Sequence, residues 1–352
     1  MNVTYLLGAG ASAKSLPVVS NMKDRFRRFN SFISRNIDIP NKEIVIDLMN
    51  LCLKQIEAHA SVDTFAKKLY LQDTFKMSAK AELFIIKHYL SLFFIAEQSA
   101  FYKEFKSESG EMIAPFPVID PRYDPFLATL LQKSGKKVLL PENVNIVSWN
   151  YDYQLELAYT AFAKCSLQDA LIQFNEIPTS NSLGPRGKIF KLNGTAAMYF
   201  DENEKSPSHL LSNGKEEFDL SDFKNLLESF AALKSVILSS NDHYRKPYIN
   251  FAWEDSPFKR NNAEDLKNVL RQTKILVIIG YSFPNFNRLV DRELFKHLTS
   301  LEKIYYQTEE KFIKSLTIRL QEGIMKHNND YAERLSVVDY TDIDQFCIPF
   351  EL

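Results

Sequence analysis

The chain has 352 residues, 45% of them hydrophobic and 25% charged, and a formal net charge of -1. That length suits two domains, or one large fold carrying an insertion. The balance of 43 basic against 44 acidic residues argues against charge-driven disorder and against a global basic field for nucleic acid. Aromatic residues reach 13%, favouring a sizeable packed core and a self-association surface.

The chain opens on an apolar run, residues 3–7, closed by Gly8-Ala9-Gly10. Such a run reads as a buried parallel strand entering a ligand loop. No basic segment precedes it, so no signal peptide is expected. Residues 22–32, 43–58, 63–71 and 78–106 carry apolar residues at three- and four-residue spacing and are predicted helices. In the last of these, Leu83, Ile86, Leu90, Phe93 and Phe94 make one stripe. Lys87, His88 and Ser91 interrupt it, so it is too short and too polar to span a bilayer. Residues 107–110 and the prolines at 115, 117, 121 and 125 mark the exit from this helical block.

Strand and helix then alternate. A helix is predicted over 124–133, a strand over 145–149, a helix over 155–163 and a strand over 188–192. A mixed stretch, 196–260, holds a helix near 220–238. A helix over 263–272 leads into the most strand-like run, Ile275-Leu276-Val277-Ile278-Ile279. Two further units follow: a strand over 303–307 with a helix over 310–321, then a strand over 335–339 with a helix over 342–346. Repeated strand-then-helix units imply a parallel sheet covered on both faces. The three cysteines, Cys52, Cys165 and Cys347, are far apart and odd in number. They build neither a disulfide framework nor a cysteine-rich zinc site, and read as reduced thiols of a cytoplasmic protein.

The chemistry lies at strand ends, where open α/β sheets bind ligands. Gly8-Ala9-Gly10-Ala11-Ser12 allows a tight turn and lets a pyrophosphate approach backbone amides. The third glycine of a dinucleotide fingerprint is missing, and Arg27, Arg28 and Asn30 stand where an acidic residue would follow, which disfavours ordinary dehydrogenase use. Trp149-Asn150-Tyr151-Asp152 brings an amide and a carboxylate out of one strand end; an Asx turn or helix cap is the alternative. Lys191-Leu192-Asn193-Gly194-Thr195 places a second amide, with a plain Asn-Gly turn as its alternative. Gly280-Tyr281-Ser282-Phe283-Pro284 offers close approach and a hydroxyl. No histidine or carboxylate spacing suggests a metal site, and no nucleophile elbow is present.

In this order, the four signatures resemble the sirtuin-like NAD-binding family, in the bacterial branch found in antiphage defence proteins. The resemblance implies a Rossmann-like α/β fold, a parallel sheet with helices on both faces, interrupted by a large all-helical insertion. It places the NAD-binding domain at residues 1–21 and 111–352, with a mixed insert at about 196–262, and the helical subdomain at 22–110. By the same resemblance, Gly8 to Ser12 with Ser15, Leu16 and Pro17 would hold the pyrophosphate. Trp149 would line the pocket. Asn150 would orient water and ribose, and Asp152 would meet the nicotinamide side. Gly280, Tyr281, Ser282 and Phe283 would take the adenosine half. Ser61-Val62-Asp63-Thr64-Phe65 also resembles a recurring element of that branch.

The deacetylase branch of that family carries a four-cysteine zinc module, which the three cysteines here cannot build, and this disfavours lysine deacylation. Where the family has His-Gly, this chain has Asn193-Gly194. An amide can hold a ribose hydroxyl but cannot take its proton, and losing a general base costs ~10²–10⁴ in rate. Of the six histidines, His88 and His297 read as surface or packing residues, and His243 is the candidate to fold over the pocket. The expectation is therefore an NAD glycohydrolase acting in defence by NAD depletion, with catalytic Asn150, Asp152 and Asn193. The alternative is a module that binds NAD or ADP-ribose without turnover. The expected partners are NAD or a related nucleotide and a second copy or a partner defence protein, with no metal, nucleic acid or membrane. The helical insertion is the natural gating surface.

Overall fold

Every residue of β1 (Val3–Leu7) is buried, which is why the sequence shows a largely apolar run there, with Thr4 paired to Thr273, rather than an alternating one. The computed structural model describes residues 1–73, 77–103, 116–135, 137–174, 186–200, 208–211, 214–239, 245–254, 257–259, 262–323, 325 and 335–352. After β1 come the helices α1 (Met22–Asn36), α2 (Lys42–Glu57), α3 (Val62–Asp73), α4 (Met77–Glu97), α5 (Ala100–Lys103) and α6 (Tyr123–Leu130). The hairpin β2 (Gln132–Ser134) and β3 (Lys137–Leu139) leads to β4 (Val144–Ser148), α7 (Gln154–Ala163), α8 (Leu167–Gln173) and β5 (Ile189–Lys191). Then follow β6 (Gly194–Phe200), β7 (Ser208–His209), α9 (Leu220–Ser239) and β8 (Lys246–Ile249). The chain ends through α10 (Ala263–Gln272), β9 (Ile275–Ile279), α11 (Arg288–His297), β10 (Lys303–Gln307), α12 (Glu310–Gly323) and β11 (Ser336–Tyr340).

Six strands form one sheet in the order β11-β10-β9-β1-β4-β5, and all of its pairings are parallel. Counted by chain position among these six, the order is 3-2-1-4-5-6, the doubly wound Rossmann arrangement. The chain leaves β1 toward β4 and later returns to the other side of β1 at β9. The strand order therefore reverses at the β1/β9 seam, where such sheets open a ligand crevice. Helices cover both faces. Tyr5 and Leu7 pack with α6, α7 and α8 residues such as Phe126, Leu155 and Ala170. Leu6, Leu276 and Ile278 pack with Leu266 and Leu270 of α10, Leu294 of α11 and Leu320 of α12.

A third core lies off the sheet. It joins Phe26, Phe29 and Ile33 of α1, Val45 and Met49 of α2, Tyr89 and Phe93 of α4, Phe223 and Leu227 of α9, and Ala196 and Ile249 of the antiparallel sheet β7-β6-β8. The predicted mixed stretch 196–260 is thus this small sheet plus α9, packed on the helices that follow β1. From Tyr89 to Ala96 only Ser91 interrupts the apolar side chains, and all eight are buried. That is the pattern of a helix surrounded by packed neighbours, not of a surface helix.

Three predicted helices differ in the structure. The helix predicted over 78–106 stops at Glu97. Gln98 Nε2 and Ser99 Oγ hydrogen-bond the carbonyls of Phe94 and Ile95, at 2.8 and 2.7 Å, and so replace the next backbone donors. Residues 104–106, like the exit signal at 107–110, lie outside the described residues. The helix predicted over 342–346 does not form. Gln307 Nε2 donates to the carbonyls of Asp342 and Gln345, and its Oε1 accepts from Cys347 N at 2.9 Å, so a side chain on β10 takes the place of helical hydrogen bonds. The helix predicted over 124–133 stops at Leu130, and β2 takes its last two residues; α8, α11 and the β2–β3 hairpin have no counterpart among the predicted elements. Among the described residues, no helix is long and apolar enough to cross a membrane.

Two glycines provide a matched test. Gly194 has φ +77, and an added Cβ would lie 2.0 Å from the Tyr248 carbonyl oxygen, whereas Gly135 has φ +61 and open space around it. Gly135→Ala is expected to cost about 1 kcal/mol for its left-handed backbone alone. Gly194→Ala is expected to cost more than ~3 kcal/mol, strain and overlap together. Urea denaturation of the two variants checks the difference.

Candidate functional site

A cavity of about 370 Å³ opens at the carboxyl ends of the parallel strands. Its wall takes Ala9, Ser12, Leu16 and Pro17 from the segment after β1, Trp149, Asn150 and Asp152 from the end of β4, Asn193 from the end of β5, and Gly280, Tyr281 and Ser282 from the end of β9. Four strand ends that are remote in sequence therefore meet at one place. A second cavity, of about 330 Å³ between α4, α9 and β8, takes no residue from the strand ends of the six-stranded sheet.

The β1 and β9 loops pack backbone on backbone. Gly8 N donates to the Ile279 carbonyl at 3.0 Å and Gly10 N to the Gly280 carbonyl at 2.9 Å. A Cβ on Gly10 would sit 2.6 Å from Gly280 Cα, and one on Gly8 2.6 Å from Tyr281 Cα. The glycines thus permit the loops to cross, and the amides of Gly8, Gly10, Ala11 and Ala13 donate to protein carbonyls. Gly8, Gly10 and Ala11 do not line the cavity. A buried ion pair braces the crossing: Arg122 grips Asp120 through Nε and Nη2, at 2.9 and 2.7 Å, and Nη2 also donates to the Gly10 carbonyl at 2.8 Å. Further along, Lys103 Nζ donates to the Ser15 carbonyl at 2.7 Å. Burial lowers the Lys103 pKa to about 8, against the opposing pull of Glu97.

At the end of β4, Asn150 Nδ2 donates to the Gly8 carbonyl at 2.9 Å, tying the second strand end to the first. Asp152 Oδ1 accepts from Gln154 N at 3.2 Å, an Asx-type contact, while its side chain also lines the cavity. Burial raises the Asp152 pKa, Lys191 opposes the rise, and Glu156 adds to it. Lys191 Nζ in turn donates to the Asp152 carbonyl at 2.7 Å and pairs with Glu156 Oε1 at 2.9 Å.

Asn193 is buried. Its Nδ2 donates to the Trp149 carbonyl at 3.2 Å, and its Oδ1 has no hydrogen-bond partner. An unpaired buried acceptor costs ~1–3 kcal/mol, so a donor entering the cavity is favoured there. Gly194 pairs with Ile249 at the start of β6 and does not line the cavity. On the β9 side, Tyr281 stacks on Trp149 with centroids 5.8 Å apart and donates to Asp291 at 2.9 Å. Phe283 is buried against Tyr281, Phe295 and Tyr306 and faces away from the cavity lining.

The lining also holds residues that the motifs do not single out: Val19, Met22, Leu90, Phe94, Asn285, Phe286 and Asn287. Leu90 and Phe94 belong to the apolar stripe of α4, and helical spacing cannot tell which turn of a stripe ends at a cavity. Ser61, Val62 and Asp63, where α3 begins, complete the wall. Burial raises the Asp63 carboxyl pKa to about 6. Of the histidines, His59, His88, His209 and His297 do not line the cavity; His243 and His327 lie outside the described residues. Among the described residues no three His, Cys, Asp or Glu side chains cluster as metal ligands.

No protein-family model and no curated protein matches the chain. Among solved structures, Sir2Tm bound to a propionylated peptide is 11% identical, with 92% of this chain and 93% of that one covered and a TM-score of 0.28. At that score the two backbones superpose too loosely for site residues to be matched between them. What the chain's own fold and site define is a doubly wound α/β protein with a ligand cavity at its strand ends.

Two stability measurements follow. Removing one member of the buried Asp120–Arg122 pair leaves an uncompensated charge, so Asp120→Ala should lose ~3–5 kcal/mol in chemical denaturation. Asp63 behaves differently. Its raised pKa contributes stability below the ordinary value of 3.8, and that contribution is lost as pH rises to about 6. Asp63→Asn should therefore melt above the wild type near neutral pH, with the advantage shrinking as pH falls from about 6 toward 3.8.

Proposed function

We propose that the cavity binds NAD and that the protein hydrolyses its nicotinamide–ribose bond. The observation that carries this reading is the convergence of four strand-end segments, with Ser12, Asn150, Asp152, Asn193 and Ser282, on one cavity at the switch point of a doubly wound sheet. Dinucleotides bind at such crevices, and about 370 Å³ falls in the range of small-molecule sites.

The wall chemistry supports a cationic guest. Among the described lining residues there are two carboxyls, Asp63 and Asp152, and no Lys, Arg or His. Cleavage of the nicotinamide–ribose bond passes through an oxocarbenium-like state, the charge problem that glycosidases solve with carboxylates. In this reading Asp152 stabilises the cationic side. Asn193 Oδ1 accepts from a ribose hydroxyl, which gives the unpaired atom its partner. Asn150, anchored to Gly8, orients ribose and water. The motif resemblance supports antiphage defence by NAD depletion as the setting, with assembly or a partner protein as the gate.

One observation favours a second reading. Asn193 stands where a proton acceptor would serve and does not titrate, so the chain would hold NAD or ADP-ribose without turning it over. Incubating the protein with NAD and following nicotinamide separates the two. The hydrolase reading expects release that falls ~10²-fold or more in Asn150→Ala, while calorimetry still detects NAD binding. Tight binding with no release would leave the module reading.

A further inference from the structure

We propose that Asp63 is the catalytic proton acceptor of the cavity, taking the proton from the water that attacks the ribose. The inference rests on the hydrolase reading above and names the group that Asn193 cannot be. Asp63 reaches the wall from the first turn of α3, in the helical block, not from a strand end. Among the described residues its carboxylate meets a backbone N–H of its own residue but no other side chain's hydrogen bond or ion pair, so lone pairs remain for a guest.

The other candidates on the wall are less suited. Burial pushes the Tyr151 and Tyr281 phenols well above their ordinary range. Asp152 differs from Asp63 in its charged and hydroxyl neighbours: it lies under the pull of Lys191 and is also engaged by the Ser12 side chain. Asp63 titrates at about 6, close to neutral pH, where a general base works best. Charged and titratable groups next to it in sequence, and on α4 which packs against α3, are engaged elsewhere. Lys67, one turn along α3, lies over the Trp253 ring at 5.2 Å. Lys87 of α4 pairs with Glu254 at 2.9 Å. His59, before α3, hydrogen-bonds the Gln55 carbonyl at 2.7 Å. Tyr151 faces Asp63 and has its own pKa raised by that carboxylate.

The ribose C1′–N bond breaks, and its electron pair goes to the pyridinium nitrogen, which leaves as neutral nicotinamide. The water oxygen bonds to C1′, and the water proton passes to the Asp63 carboxylate and then to solvent. NAD and water give nicotinamide, ADP-ribose and one proton.

The test follows nicotinamide release by the full chain across the pH range, for wild type, Asp63→Asn and Asp63→Glu, with NAD affinity from calorimetry and folding from thermal melts. Wild type should lose rate as pH falls through about 6. Asp63→Asn should keep NAD affinity within about threefold, lose ~10²–10⁴ in rate and lose the acid limb. Asp63→Glu should restore part of the rate and shift that limb. If Asp63→Asn does not fold, the limb in Asp63→Glu decides: a shift supports the assignment and an unmoved limb overturns it. Release by Asp63→Asn near the wild-type rate with the limb intact overturns Asp63 and leaves the hydrolase standing. Loss of NAD binding in Asp63→Asn also overturns it, in favour of a binding role. Wild-type chain that binds NAD and releases nothing overturns the hydrolase reading and Asp63 with it, and leaves the module reading.

Discussion

The structure depends on two loops passing each other with no side chain between them. The segment after β1 and the segment after β9 leave neighbouring strands of one sheet, and at Gly8, Gly10 and Gly280 their backbones approach to a distance that any Cβ would occupy. That approach closes the seam where the strand order reverses. It also lets Asn150 reach across from β4 to the Gly8 carbonyl and fixes where Tyr281 stacks on Trp149. If these loops were held further apart, the strand ends would still align in the sheet but would not share a wall.

The rest of the wall comes from outside the sheet. The buried Arg25–Glu97–Lys103 group links α1, α4 and α5, and Lys103 extends that link to the Ser15 carbonyl. Arg122 and Asp120 do the same from the segment before α6. Isolated surface pairs contribute little to stability, whereas buried pairs with every lone pair engaged fix geometry more than they add free energy. Here they set the position of the loop that carries Ser12, Leu16 and Pro17. The helical block is thereby part of the site: α3 supplies Asp63, and α4 supplies Leu90 and Phe94.

The electrostatics have one direction. Burial raises both carboxyls on the wall, no described lining residue carries a positive charge, and most amides of the glycine loop are used within the protein. Such a cavity is a poor trap for a bare anion and a good one for a ligand that carries or develops positive charge. The glycine loop, read alone, points to a phosphate; the assembled wall, with two carboxyls and no described cation, points to a positively charged group.

Much of the fold was legible in the residues. The apolar runs at 3–7, polar only at Thr4, and at 275–279, each closed by glycine, gave buried parallel strands, because a strand covered on both faces has no solvent side to show. The three- and four-residue spacing of Phe26, Phe29 and Ile33 gave α1. Local pattern failed where a distant side chain supplied the hydrogen bonds, as Gln307 does for residues 342–346 and Gln98 and Ser99 do at the end of α4. It also could not say that Gly194 and Phe283 would turn away from the cavity or that Asp63 would face it. Periodicity and turn chemistry along the chain are enough to set the class of sheet and the strand ends where polar residues emerge. Which of those residues share a wall depends instead on strand order and on close backbone contact between segments more than 250 residues apart, so it is settled in three dimensions.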